Sequence, residues 1–183
     1  MKYWSKSALS VYRYLETMSK SIDKIVLDLG KSSNNHEIAN YQTTYSQTNK
    51  ILKLMDRKRK LINLKVIVEN GLANLSKESR RILTLFYIDG ITANYISQLL
   101  GISIRTFFRQ KLKALEEFCK EIEESGYNVD FFEEDYSNEK WFSSVYNDML
   151  LKNTEEEDFI GAIAIKNMFG EIGKIPLFSN TYV

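Results

Sequence analysis

Residues 75–118 read LSKESRRILTLFYIDGITANYISQLLGISIRTFFRQKLKALEEF and carry cap, turn and helix signals in close succession. Ser76 is a good N-cap, because its hydroxyl can accept one of the amide protons that open a helix; Lys77 and Glu78 fill the first turn. Ile82, Leu83, Leu85 and Phe86 then recur at helical spacing, turned toward a core. Asp89-Gly90 ends that helix, since glycine takes the left-handed backbone that closes it. Thr92 caps a short second helix holding Tyr95, Ile96, Leu99 and Leu100. Gly101 follows where a tight turn between helices needs a positive φ, which glycine adopts without a side-chain penalty. Ile102 plugs the angle between the two helices, and Ser103 caps a third.

At about 100° per residue, Ile104, Phe107, Phe108, Leu112, Ala114, Leu115 and Phe118 fall within one broad apolar arc. Arg105, Thr106, Arg109 and Lys113 lie opposite, with Gln110 at the edge. Lys111 projects into the apolar arc, so its alkyl stem is expected to snorkel out at the rim. Between Ser103 and Leu115 there are four basic residues and no acid. Such a helix fits the major groove, where arginine can pair bidentately with guanine and threonine can touch a base edge or methyl. A basic outer face also suits a surface helix of an ordinary bundle. The more specific signal is the joint pattern: capped helix, Asp-Gly, capped short helix, Gly-Ile-Ser, basic helix.

Toward the N-terminus, Ala8, Val11, Tyr12, Leu15, Met18, Ile22, Ile25, Val26 and Leu29 stand three and four apart, an amphipathic helix for which Gly30 suits the stop. A polar loop, residues 31–36, follows. From Tyr41 a long helical stripe runs through Tyr45, Thr48, Leu52, Met55, Ile62 and Val66 to Leu72, with a bend or break expected near Asn70-Gly71. This stripe serves a homodimer seam or intramolecular packing equally well. Within the helix, Arg57, Lys58, Arg59 and Lys60 form a run of four positive charges, either a solvated face or a phosphate contact.

Toward the C-terminus, Ser125-Gly126 ends the third helix of the stretch. Aromatic residues then alternate with acids over 127–150, and Trp141, Val145 and Met149 suggest one more helix. The acids Glu155 to Asp158 precede an apolar tail, Ile160 to Val183. The chain divides accordingly into residues 1–74, 75–118 and an acidic extension, 119–183. With one proline and helical spacing almost throughout, the expected fold is all-α, a helical bundle containing a helix-turn-helix.

The charge is unevenly placed. Residues 1–115 carry 20 Lys and Arg against 8 Asp and Glu, and residues 116–183 carry 5 against 16. A basic portion followed by an acidic one hints at a nucleic-acid contact on one side. No apolar run approaches the roughly 20 residues that cross a bilayer, so no membrane partner is expected. The N-terminus lacks the pattern of a signal peptide, and a lone cysteine cannot form an internal disulfide, so a cytoplasmic location is expected. Enzyme chemistry finds little support: His36 is the only histidine, Cys119 the only cysteine, and no phosphate-binding glycine loop occurs. No catalytic residue, cofactor or metal is expected.

Residues 75–117 resemble region 4 of the bacterial sigma-70 family, the helix-turn-helix that recognises the −35 promoter element. The matching residues are Leu75, Glu78, Arg81, Leu83, Leu85, Tyr87, Gly90, Ile96, Leu99, Gly101, Ile102, Ser103, Thr106, Phe107, Ala114 and Leu115. LuxR-type response regulators and small phage late-gene regulators share the pattern. Ser97 stands where these families usually have alanine, and Phe107 where they usually have valine, marking a divergent member. The resemblance covers about 43 of 183 residues, and the N-terminal 74 show no region-2 signature of a complete sigma factor.

The resemblance implies a sequence-specific transcription regulator on double-stranded DNA. Arg105, Thr106, Arg109 and Gln110 would read bases, with Ser103 at the helix start. Lys113, Lys77, Arg80 and the run Arg57, Lys58, Arg59 and Lys60 would hold phosphates. The alternative is a protein-interaction module that binds RNA polymerase or another regulator through the same fold, without reading DNA.

Overall fold

The computed structural model describes residues 2–34, 41–152, 164 and 166–168. Every regular element among them is helical: α1 (Lys2–Asn34), α2 (Tyr41–Asn74), α3 (Lys77–Leu83), which runs on as a wider π-turn over Thr84–Ile88, α4 (Ala93–Leu100), α5 (Ile104–Glu124), α6 (Val129–Tyr136) and α7 (Lys140–Lys152). The all-α expectation is met. None of these helices is long and apolar enough to cross a membrane.

α1 buries Trp4, Ala8, Val11, Leu15, Met18, Ile22 and Leu29, a stripe at intervals of three, four and seven. The helix does not stop at Gly30 but continues to Asn34. One glycine in a helix interior costs only about 1 kcal/mol, and nothing else there breaks the ladder. α2 packs against α1 in the opposite direction. The Tyr12 hydroxyl donates to Glu69 Oε1 at 2.7 Å, and Lys58 Nζ to Asp23 Oδ1 at 2.6 Å, so positions rise along one helix as they fall along the other.

α2 departs from its expected stripe. The buried residues are Leu54, Leu61, Leu64, Ile67, Val68 and Leu72, whereas Tyr45, Thr48, Leu52, Met55, Ile62 and Val66 face solvent. The sequence carries two apolar stripes of helical period on this helix, and periodicity alone does not rank them. Gly71 does not bend α2 either, since the helix runs unbroken to Asn74. Its missing side chain admits α5 instead: a Cβ at Gly71 would lie 2.8 Å from Cε2 of Phe118 and 3.1 Å from Cγ1 of Ile122.

Among the described residues the extension after α5 forms α6 as well as α7, where the spacing indicates one helix. Gly126, at φ +91°, turns the chain, and the Asn128 side chain accepts the Phe131 amide at 3.0 Å to begin α6. Trp141, Val145 and Met149 are buried on α7 as their spacing indicates. Phe132 and Phe142 meet the Trp4 ring with centroids 5.8 and 5.9 Å away, and Tyr146 stacks on it at 3.8 Å. One contiguous cluster therefore draws on residues from all three stretches of the sequence.

Candidate nucleic-acid interface

The turns of the central stretch form as their residues dictate. Ser76 accepts the Ser79 amide at 3.3 Å, and Ser103 accepts the Thr106 amide at 3.1 Å. Thr92 occupies the N-cap of α4 with extended backbone but makes no side-chain cap bond. Gly101 takes φ +64°, and the following Ile102 amide reaches back to the Ser97 carbonyl at 3.0 Å, closing α4 before α5 starts.

α5 rests on the core through Phe107, Lys111, Ala114, Leu115, Phe118 and Ile122. Its outward side presents Arg105, Arg109 and Lys113, exposed at successive turns, with Thr106 and Gln110 half-exposed beside them. Lys113 lies 3.9 Å from Glu117, a loose and solvated pair that leaves its ammonium available. The Thr106 hydroxyl lies 2.8 Å from Ser103 Oγ, so these two side chains hold each other at the helix start.

Between α3 and α5 runs an open cleft of about 360 Å³, lined by Glu78, Ile82, Arg109, Gln110, Lys113 and Glu117 among others. A second of about 220 Å³ adjoins it, with Arg81 and Gln110 in its wall. Arg81 lies outside the expected contact set. Its place beside Gln110 depends on how α3 crosses α5, which no spacing within either helix reports. Glu78 and Glu117 make this side less positive than the helix face taken alone.

The expected apolar arc of α5 is split. Phe107, Ala114, Leu115 and Phe118 are buried, but Ile104, Phe108 and Leu112 remain 40, 42 and 44% exposed. Lys111 does not snorkel to the rim: it is 4% exposed, with Nζ 4.0 Å from the centroid of Phe86 and 5.1 Å from that of Phe108. Two rings facing an ammonium stabilise it there by cation–π attraction, which grows as water is excluded.

The remaining candidate phosphate contacts lie elsewhere. Lys77 is exposed in the first turn of α3. Arg80 turns back on the end of α2, where Nε donates to the Leu72 carbonyl at 2.8 Å and Nη2 to those of Ala73 and Leu75. It satisfies carbonyls that every helix end leaves open. The run in α2 is paired within the chain: Lys58 with Asp23, Arg59 with Asp56 at 2.8 Å, and both Arg57 (3.0 Å) and Lys60 (3.1 Å) with Glu139. Trp141 Nε1 also donates to Glu139, at 3.0 Å, so this almost buried carboxylate joins α2 to the start of α7. Nothing in the sequence marks Glu139 out from the neighbouring acids.

His36 lies outside the described residues. Cys119 is half-buried, and burial pushes its thiol pKa up, away from the reactive thiolate. No family model, curated protein or solved structure matches the chain.

Proposed function

We propose that the chain is a sequence-specific DNA-binding transcription regulator, similar to sigma-70 region 4, that reads the major groove of duplex DNA with α5. The observation that carries this reading is the outward face of α5. Arg105, Arg109 and Lys113 stand exposed at successive turns, no acid intervenes from Ser103 to Leu115, and the face is presented beyond a left-handed turn at Gly101. Arg105 and Arg109 are the base readers, with Thr106 and Gln110 beside them. Lys113 and Lys77 hold phosphates, which set affinity and register while base contacts set sequence. Arg80 and the Arg57–Lys60 run have work within the chain and stand outside this contact set. The reading implies a bacterial, cytoplasmic protein.

The test is selection from a randomised duplex pool at two salt concentrations, for the wild type and Arg105→Ala/Arg109→Ala. The expected result is an enriched motif that the double variant loses, with Arg109→Ala alone costing about 1–3 kcal/mol on that motif. Lys113→Ala should weaken all sequences alike and flatten the salt dependence. Binding without enrichment would reduce α5 to a phosphate-holding surface.

A second reading is a protein-interaction module engaging RNA polymerase or another regulator. It is favoured by the exposure of Ile104, Phe108 and Leu112 beside the basic face. It requires function to survive Arg105→Ala/Arg109→Ala and to fail on Phe108→Ala/Leu112→Ala, the reverse of the DNA-reading outcome.

A further inference from the structure

α2 turns one apolar stripe into the core and leaves a second facing water. Tyr45, Leu52, Met55, Ile62 and Val66 are 71, 60, 47, 46 and 44% exposed. Together with exposed Thr48 and Arg59, they occupy positions 45, 48, 52, 55, 59, 62 and 66, alternate steps of three and four. That is the 3.5-residue repeat of a coiled-coil seam, not a scatter of single surface apolar residues. At 1.5 Å per residue the seam runs roughly 30 Å. α1 covers a different side of the helix, the side of Leu54, Leu61 and Val68.

We propose that this seam binds a second copy of the chain, with the two α2 helices running antiparallel about a twofold axis. The charges in the middle of the stripe argue for both the partner and the direction. Arg59 sits within the seam, with Asp56 one turn before it and 2.8 Å from its guanidinium. Parallel pairing in register would press Arg59 of one copy against Arg59 of the other. Antiparallel pairing sets Leu52 of each copy against Ile62 of the other and Val66 against Thr48. Arg59 of each copy then reaches Met55 and Asp56 of the other, so two arginines and two aspartates alternate around the axis. The stripe is self-complementary, apolar on both sides of an acid–base couple, as an isologous interface requires.

The first measurement is the mass of the full chain in solution by sedimentation over a range of concentrations, with twice the 21.4 kDa chain mass expected. Leu52→Glu/Ile62→Glu should sediment as a monomer with its helical circular dichroism and cooperative melting retained, since both positions face water. Asp56→Arg or Arg59→Asp alone should weaken association about tenfold or more, and the swap Asp56→Arg/Arg59→Asp should restore it. Leu52→Cys mixed with Ile62→Cys should cross-link under mild oxidation, while Leu52→Cys alone should give no more than the background from Cys119. Ready self-cross-linking of Leu52→Cys would overturn the antiparallel pairing. A wild type that stays monomeric at every concentration would overturn the proposal, whether residues 153–183 or another protein then proved to cover the stripe.

Discussion

Lys111 is a charged residue in a place where the sequence calls for an apolar one. Its ammonium lies against Phe86 and Phe108, and its own side chain is buried. Since its stem fills core volume, the length of the side chain should matter more than its charge. Lys111→Met is expected to change unfolding free energy by less than about 1.5 kcal/mol, as volume-conserving swaps do. Lys111→Ala should cost about 2 kcal/mol or more by leaving a cavity. Urea denaturation of the two variants distinguishes them; equal losses would mean that the charge itself holds the site. Helical spacing places Lys111 inside the apolar arc but not under two rings, because only the packing of α5 against α3 brings the Phe86 ring of the adjoining π-turn there. Gly101 was fully legible by contrast, since a left-handed turn is a local demand and glycine meets it without help from elsewhere.

At the scale of elements, two contacts hold long helices in register, and each should answer to a single substitution. Gly71→Ala would bring a methyl against the Phe118 ring in the α2–α5 crossing. Overpacking of this kind typically costs about 1–3 kcal/mol, to be read as a fall in the urea midpoint. An unchanged midpoint would show that the Phe118 ring can yield. Glu139 is the other contact. Its carboxylate, 10% exposed, binds Arg57 and Lys60 of α2 and the indole of Trp141. Glu139→Ala removes the acid that Arg57 and Lys60 share and should cost about 3 kcal/mol, near the lower end for breaking a buried pair because both cations retain some water. Glu139→Gln, which keeps an acceptor for the indole, should lose less. Equal stability of Glu139→Ala and the wild type would make the cluster a surface ornament. In sequence the run Arg57–Lys60 fits either a solvated face or a phosphate contact. Arg59 finds its acid, Asp56, three residues away, but Asp23 and Glu139, which pair with the other three cations, lie 35 and 82 residues from Lys58 and Arg57, a distance no local pattern spans.

For the molecule as a whole, two tyrosines link stability to alkaline pH. Burial and the Glu69 carboxylate push Tyr12 up to about 12, and burial, with Asp135 adding to it, raises Tyr136 further still. An unfolded chain would ionise both near pH 10. The fold thus favours their neutral forms: this stability is complete below about pH 10 and is lost as pH rises through 10 to 12 and beyond. The denaturant midpoint should fall between about pH 9 and pH 11, and fall less in Tyr136→Phe, whose ring cannot ionise. Parallel declines in the two proteins would assign the loss to other groups. The Tyr136 hydroxyl donates to the Lys60 carbonyl at 3.0 Å, so its ionisation would also turn a donor into an acceptor against an acceptor.

The features legible in the sequence are those that short-range physics controls. Helical period, the serines at 76 and 103, and the glycines at 90 and 101 place the helices and turns of the central stretch, and Gly126 the turn after it, because caps and left-handed backbone involve only residues a few positions apart. The outward basic face of α5 follows from the same local geometry. Where local options were equivalent, helix packing selected among them. It chose which stripe of α2 enters the core, made Gly71 a crossing point and not a break, carried α1 past Gly30, and gave Arg57, Lys58 and Lys60 their distant acids. Each of those outcomes depends on which surface is brought opposite, and burial is a property of two surfaces, of which a sequence window displays one.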